Sequence, residues 1–412
     1  MTQSTSIAKA VKLLVATLAV GGFIGSASAE EGTTRVIVKF KDNGAVGNKS
    51  VAGAANKKSV IDAAKGNVKH EIFGVNAMAV EVPLSALQGL KNNPNVEYVE
   101  EDHIRYPFAL TSPSTGTPYL LGQSVPYGIK QVQADLLPDT NVGNRKVCII
   151  DSGIDRAHED LTGNSANMTG LYNSGTGNWY TDENSHGTHV AGTIAGVNNS
   201  GLGVVGVNSN KRLKLHIVKV FGASGWAYSS TLASAANQCA SNGANVISMS
   251  LGGPSFNTTE SNTFATLASQ GVLSIAAAGN AGNTAISYPA GYTGVMMVGA
   301  VDEFKAWASF SQYNSKMEIA APGVSVLSTV PLAVKGTKYA YFNGTSMATP
   351  HVAAVAALVW SYYPSCTGSQ IRTTLTKSAQ DLGPVGRDTK FGFGLVQARA
   401  AYDRIRTLGC GA

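Results

Sequence analysis

The chain has 412 residues, 46 of them glycine, with 44% hydrophobic and 14% charged residues. Such a composition supplies a sizeable core and many turns, and excludes a disordered or collagen-like chain. The net charge of +6 is scattered along the sequence instead of gathered in a basic stripe, which speaks against a nucleic-acid groove.

Residues 1–29 carry Lys9 and Lys12, an apolar run over 13–24, then Ser26-Ala27-Ser28-Ala29. A charged start, a short apolar core and a small-residue end describe a secretory signal peptide. The run is too short to span a bilayer and no longer one follows it. The product is expected to be secreted, extracellular, free of the membrane and monomeric.

Residues 35–41 alternate apolar and polar side chains, the pattern of a half-buried strand. Further strands are expected near 69–73, 77–82 and 96–100, with helical patterns at 59–64 and 84–90. The order strand, helix, strand, strand, helix, strand makes residues 30–105 a small ferredoxin-like α+β domain. Residues 106–121 turn to Pro, Ser, Thr and Gly without periodicity and are expected to form an exposed linker.

Residues 122–412 have another texture. Apolar runs at 146–150, 216–220, 245–251, 272–278 and 295–300, several separated by helical segments, predict an α/β domain with a doubly wound, mostly parallel sheet. In such sheets function gathers at the carboxyl ends of the strands. Cys148, Cys239, Cys366 and Cys410 allow three pairings. With Cys148 on a strand, Cys239 near a helix end and Cys410 at the tail, Cys148–Cys239 and Cys366–Cys410 are favoured; a merely buried Cys148 is the alternative.

The strand ends carry the chemistry. Residues 146–150 run into Asp151, and residues 272–278 into Gly279-Asn280. Ser185-His186-Gly187 opens a helix whose apolar face is Val190, Ile194 and Val197. Asn343-Gly344-Thr345-Ser346 leads into residues 352–360, nearly all small or apolar, so Ser346 sits at the mouth of a buried helix. The orphan N–H groups and positive dipole end of that helix favour negative charge near Ser346. Pro350 is expected in the first turn, where a missing N–H costs nothing.

A serine hydroxyl becomes a nucleophile when a base takes its proton, and histidine has the pKa for that. Asp151 is the candidate to orient His186, ahead of Asp155 and Asp160, and His189 is the nearest rival base. Asn280 and the Ser346 N–H are candidate donors to an oxyanion. An α/β-hydrolase esterase would place a glycine where Ala348 stands and its acid after the serine.

The four blocks around Asp151, His186, Asn280 and Ser346, in that order, resemble the signatures of the subtilisin family of serine proteases over about residues 122–403. The resemblance implies a secreted serine endopeptidase acting on protein and peptide substrates, with Asp151, His186, Ser346 and Asn280 as catalytic residues. It implies a cleft walled by Ser250, Leu251, Gly252 and Gly253, with Ala277, Ala278 and Gly279 opposite. The segment from Gly222 through Gly225 to Trp226 would form the far edge. Backbone pairing is sequence-tolerant, so broad specificity with an apolar or aromatic bias is expected. The matching pocket segments hold no acidic residue, which argues against strict selectivity for basic residues.

The resemblance further implies a structural Ca2+ held by Gln123, Asp160, Val197, Asn199 and Val204, with Leu202 or Gly201 as a further backbone ligand in a loop one residue longer than the family pattern. It makes residues 30–105 an inhibitory prosegment, an intramolecular partner. The maturation cut is expected between Tyr106 and Gln123.

Overall fold

The structure is a computed structural model that describes residues 32–42, 51–108, 110–111, 123–173, 175–199 and 201–412. The leader, 1–29, and most of the expected linker lie outside these residues.

The small N-terminal unit is a four-stranded antiparallel sheet in the order Asn67–Glu71, Ala77–Pro83, Thr33–Phe40, Val96–Glu101. Alternation along Thr33–Phe40 sends Val36, Val38 and Phe40 into a core with Ile61 and Leu90 from the helices. Ile37 points the other way and packs with Ile72 and Ala77 against Ala233 of the large unit. The second face of this sheet is therefore a docking face.

Acidic side chains reinforce the docking. Asp102 accepts from Ser229 Oγ, Ser230 N and Ser230 Oγ at the start of helix Ser229–Ser241. Glu100 accepts from Thr258 N and Thr259 N at the start of helix Thr258–Ser269. Both helix N-termini thus receive a carboxylate where their unpaired N–H groups lie.

The large unit has an all-parallel seven-stranded sheet. Its order is Ile319–Pro322, Val295–Val301, Leu273–Ala277, Val246–Met249, Lys146–Asp151, Lys214–Lys219, Met168–Leu171. Val147 and Ile149 join the core under helices His186–Ala195 and Thr345–Tyr362, while Cys148 and Ile150 join the opposite core under Ser229–Ser241 and Thr258–Ser269. Burial on both faces is why the strands read as unbroken apolar runs. Strand order reverses between Lys146–Asp151 and Val246–Met249, so the crevice beyond their carboxyl ends falls beside Asp151 and Ser250.

The sequence runs do not reveal Met168–Leu171 or Ile319–Pro322. Both are edge strands of four residues, one interrupted by Thr169 and Gly170, the other ending in Pro322, which an edge tolerates. Cysteines pair as Cys148–Cys239 and Cys366–Cys410.

Candidate active site

Asp151 ends its strand wholly buried, and its Oδ1 accepts from His186 Nδ1 and from Ser152 N, each at 2.7 Å. His186 is the first residue of helix His186–Ala195, whose N-cap, Ser185, makes no side-chain cap. Asp182 takes that part. Its buried carboxylate accepts from Ser185 N, Thr188 N and Thr188 Oγ1, and from Ser152 Oγ. It thereby ties the start of the helix to the residue after Asp151. Burial pushes the Asp182 carboxyl above its ordinary range, and its hydrogen bonds to Thr188 and Ser152 oppose that.

Ser346 is the second residue of helix Thr345–Tyr362, buried throughout from Thr345 to Ser361. Gly344 before it has φ +146°, a backbone open to glycine. The Ser346 hydroxyl donates to Ser250 O at 2.9 Å, and His186 Nε2, although buried, has no partner among the described residues. The structure therefore joins Asp151 to His186 but leaves Ser346 unbonded to the imidazole.

Pro350 is the sixth helical residue, not part of the first turn. Its missing N–H frees the carbonyl of Ser346, four residues back, and the Ser250 hydroxyl donates to that carbonyl at 2.8 Å. Asn280 Oδ1 accepts from Thr345 N and Thr345 Oγ1, both at 2.9 Å, and Thr345 Oγ1 also accepts from Gly279 N at 3.1 Å. These contacts turn the Asn280 NH2 group toward the cleft.

A segment of the chain itself lies there. Ile104–Pro107 is the central strand of a three-stranded antiparallel sheet, between Ala227–Tyr228 and Leu251–Gly252. Phe108 N donates to Ser250 O at 3.1 Å. The Phe108 carbonyl accepts from Asn280 Nδ2 at 2.7 Å and from Ser346 N at 3.4 Å. Beyond it, Leu110–Thr111 pairs with Phe342 and Asn343. The boundary drawn after Arg105 thus falls inside a strand. Residues 112–122 lie outside the described part.

Leu251 and Gly252 pair with this strand, Ser250 meets Phe108 through its carbonyl, and a Cβ on Gly252 would come within 2.6 Å of the Phe108 ring. Ala277 and Ala278 are buried. At the far edge the strand pairs with Ala227–Tyr228, directly after the expected segment, in which residues 222–225 close a turn from Gly225 N to Gly222 O. Trp226 stands 38% exposed, edge-on to Tyr228. The segments 222–226, 250–253 and 277–279 hold no acidic residue, but one lies close beyond them. Glu260, from helix Thr258–Ser269, lies fully buried against Arg105 of the inserted strand.

The rival residues have other tasks. His189 is stacked on Phe342 and bonded to Val326 O and Ala340 O, and burial drives its pKa down to about 3. Asp155 accepts from Ala157 N in a turn.

Among the described residues no three His, Cys, Asp or Glu side chains cluster as a metal site. The residues expected around calcium are nonetheless together. Asp160 accepts from Asn199 Nδ2 at 2.8 Å and Val204 N at 2.7 Å, and Gln123 donates to Val197 O at 2.9 Å and Asn199 Oδ1 at 3.3 Å. Burial holds the Asp160 carboxyl above its ordinary range. One buried carboxylate among amide and carbonyl oxygens is the donor chemistry of a hard cation.

Comparison with known proteins agrees with this geometry. Residues 143–394 match the peptidase S8 group, the subtilase family. The chain is 40% identical over 395 residues to subtilisin amylosacchariticus of Bacillus subtilis subsp. amylosacchariticus and to subtilisin E of Bacillus subtilis strain 168, covering 94% of this chain and 96% of each relative. The crystal structure of the psychrophilic subtilisin-like protease Apa1 from the Antarctic psychrotroph Pseudoalteromonas sp. AS-11 matches with a TM-score of 0.66 and 36% identity, covering 70% of this chain and all of that one. With blocks, fold and relatives in agreement, the chain belongs to the subtilase family and is a subtilisin-type serine endopeptidase.

Proposed function

We propose that the protein is a secreted zymogen that cuts its own Phe108–Ala109 bond, with Ser346 as nucleophile, His186 as base and then acid, and Asp151 holding the imidazole. The observation that carries this reading is the Phe108 carbonyl, gripped by Asn280 Nδ2 and Ser346 N while Phe108 N bonds Ser250 O. A peptide bond so held has its carbonyl oxygen where two donors await growing charge.

Rotation of the Ser346 side chain from Ser250 O toward the unpartnered His186 Nε2 starts the reaction. Oγ then bonds the Phe108 carbonyl carbon as its proton passes to Nε2. The carbonyl π electrons move onto the oxygen, under Asn280 and the Ser346 N–H. Collapse breaks the bond to Ala109, and His186 returns the proton to the departing nitrogen. Water then bonds the acyl carbon as His186 takes its proton, and collapse frees the Phe108 carboxylate while His186 returns that proton to Ser346 Oγ. Asp151, accepting from Nδ1 throughout, fixes the tautomer and steadies the charged ring.

Residues 30–108, ending in the inserted strand, are the inhibitor, docked through Ile37, Asp102 and Glu100. The same register serves protein and peptide substrates in trans. An aromatic or apolar residue takes the place of Phe108, whose ring packs on Gly252. Mass spectrometry of a maturing culture is expected to find a released prosegment ending at Phe108; a prosegment ending elsewhere refutes the register.

Gln123, Asp160, Val197, Asn199, Val204 and Leu202 are proposed to hold a structural Ca2+, which, when bound, supplies the positive charge that buried Asp160 lacks. Chelation is expected to lower the apparent Tm by roughly 10 °C, restored by Ca2+ and absent in Asp160→Ala. Scanning calorimetry with and without chelator checks it.

A further inference from the structure

We infer that the cleft contains a guanidinium site, so that the enzyme selects substrates with arginine at the fourth residue before the cut, and that Glu260 is the selecting group. The inference rests on reading the inserted strand as substrate-like.

Counting back from Phe108, the fourth residue is Arg105, which sits opposite Ala227 in the paired strands. Its side chain is entirely buried. Arg105 Nη2 donates to Glu260 Oε2 at 2.7 Å and Nε to Oε1 at 3.2 Å, a two-pronged pairing, while Nη2 also reaches Ser255 O at 3.0 Å. Tyr292 OH donates to Glu260 Oε2 at 2.7 Å and accepts from Asn257 N at 3.0 Å. The planar fork of arginine matches a carboxylate in this way, whereas lysine brings one compact charge.

The carboxylate is set in place by the enzyme alone. Glu260 lies in the first turn of Thr258–Ser269, with its N–H on the Asn257 cap and its oxygen held by Tyr292. The helix N-terminus there favours negative charge. No other cation pairs with Glu260 among the described residues. Burial raises the Glu260 carboxyl above its ordinary range and the Arg105 charge opposes this. A leucine in the pocket would leave a buried, unpaired acid; an arginine completes it.

The pocket is also shaped for a long side chain lying flat. Gly253 forms its wall, and a Cβ there would meet Ile104 O at 2.6 Å and Arg105 Nη1 at 3.2 Å. Any extended chain in this register delivers its fourth side chain to the same place, since strand pairing fixes position whatever the sequence.

The test uses mature enzyme and three acetylated p-nitroanilides, Arg-Tyr-Pro-Phe, Lys-Tyr-Pro-Phe and Leu-Tyr-Pro-Phe. The expected order of kcat/KM is Arg, Lys, Leu, with arginine ahead of leucine by roughly 30-fold. In the double variant Arg105→Leu with Glu260→Leu, made so that the prosegment still fits its pocket, the leucine peptide should overtake. Equal rates on arginine and leucine peptides by the wild type overturn the inference and leave the peptidase reading intact. An arginine preference that survives in the double variant overturns Glu260 as its source. Failure to cut all three peptides after Phe overturns the substrate-like register itself.

Discussion

A Ser346→Ala chain is expected to accumulate at full length, with residues 30–108 still joined to the rest, and to have lost about 10^6 of its kcat on peptides. That magnitude is carried over from subtilisin, where removal of the nucleophile has this effect and the oxyanion donors and binding account for the residual rate. The substitution removes the one oxygen that can bond the Phe108 carbon while leaving the clamp on its carbonyl, Asn280 and Ser346 N, in place. Little destabilisation follows, because the hydroxyl makes a single bond, to Ser250 O. Gel analysis with N-terminal sequencing reads the outcome. An alanine chain that matures in purified form, free of other proteases, removes self-cleavage from the account.

Replacing Asn280 by leucine should lower kcat by about 10^2 to 10^3 with KM little changed, again the effect found for oxyanion donors in subtilisin. A donor aimed at developing charge contributes mainly in the transition state, which is why kcat carries the loss. Here the amide is aimed by Thr345, which accepts from Gly279 N and donates to Asn280 Oδ1. The same change should slow release of the prosegment, since one carbonyl clamp serves both reactions. Steady-state kinetics on a Phe peptide beside the time course of maturation tests both. A variant with unchanged kcat means that Asn280 does not face the oxyanion.

Four candidate residues were legible because each stands at the end of an apolar strand or the start of an apolar helix. Asp151 ends a buried strand, Asn280 follows one, and His186 and Ser346 begin helices; periodicity marks these places, and the likeness of the four blocks to the subtilisin signatures sets Asp151 ahead of Asp155 and Asp160 and His186 ahead of His189. What stayed hidden depends on partners far along the chain. Glu260 reads as an ordinary acid in a helix's first turn; only the strand pairing of Arg105 reveals it as the floor of a pocket. Asp182, four residues before His186, and Thr345, beside Ser346, belong to no apolar pattern, and their tasks are hydrogen bonds to other loops. Residues 104–108 lack a strong strand signature because their edges are supplied by residues 227–228 and 251–252. Pro350 misled by one turn, since the compensating hydroxyl, Ser250, is 96 positions away from the carbonyl it satisfies.

The inserted strand makes a demand on every protein the enzyme attacks. Ile104–Pro107 is hydrogen-bonded along both of its sides, and Leu110–Thr111 is paired again beyond Phe108. A victim must therefore surrender a straight, unpaired length of backbone on either side of the bond before it can be severed. Helices and the inner strands of sheets have no such length to give. Native targets should be nicked in their loose loops, and fully digested only as fast as they come undone.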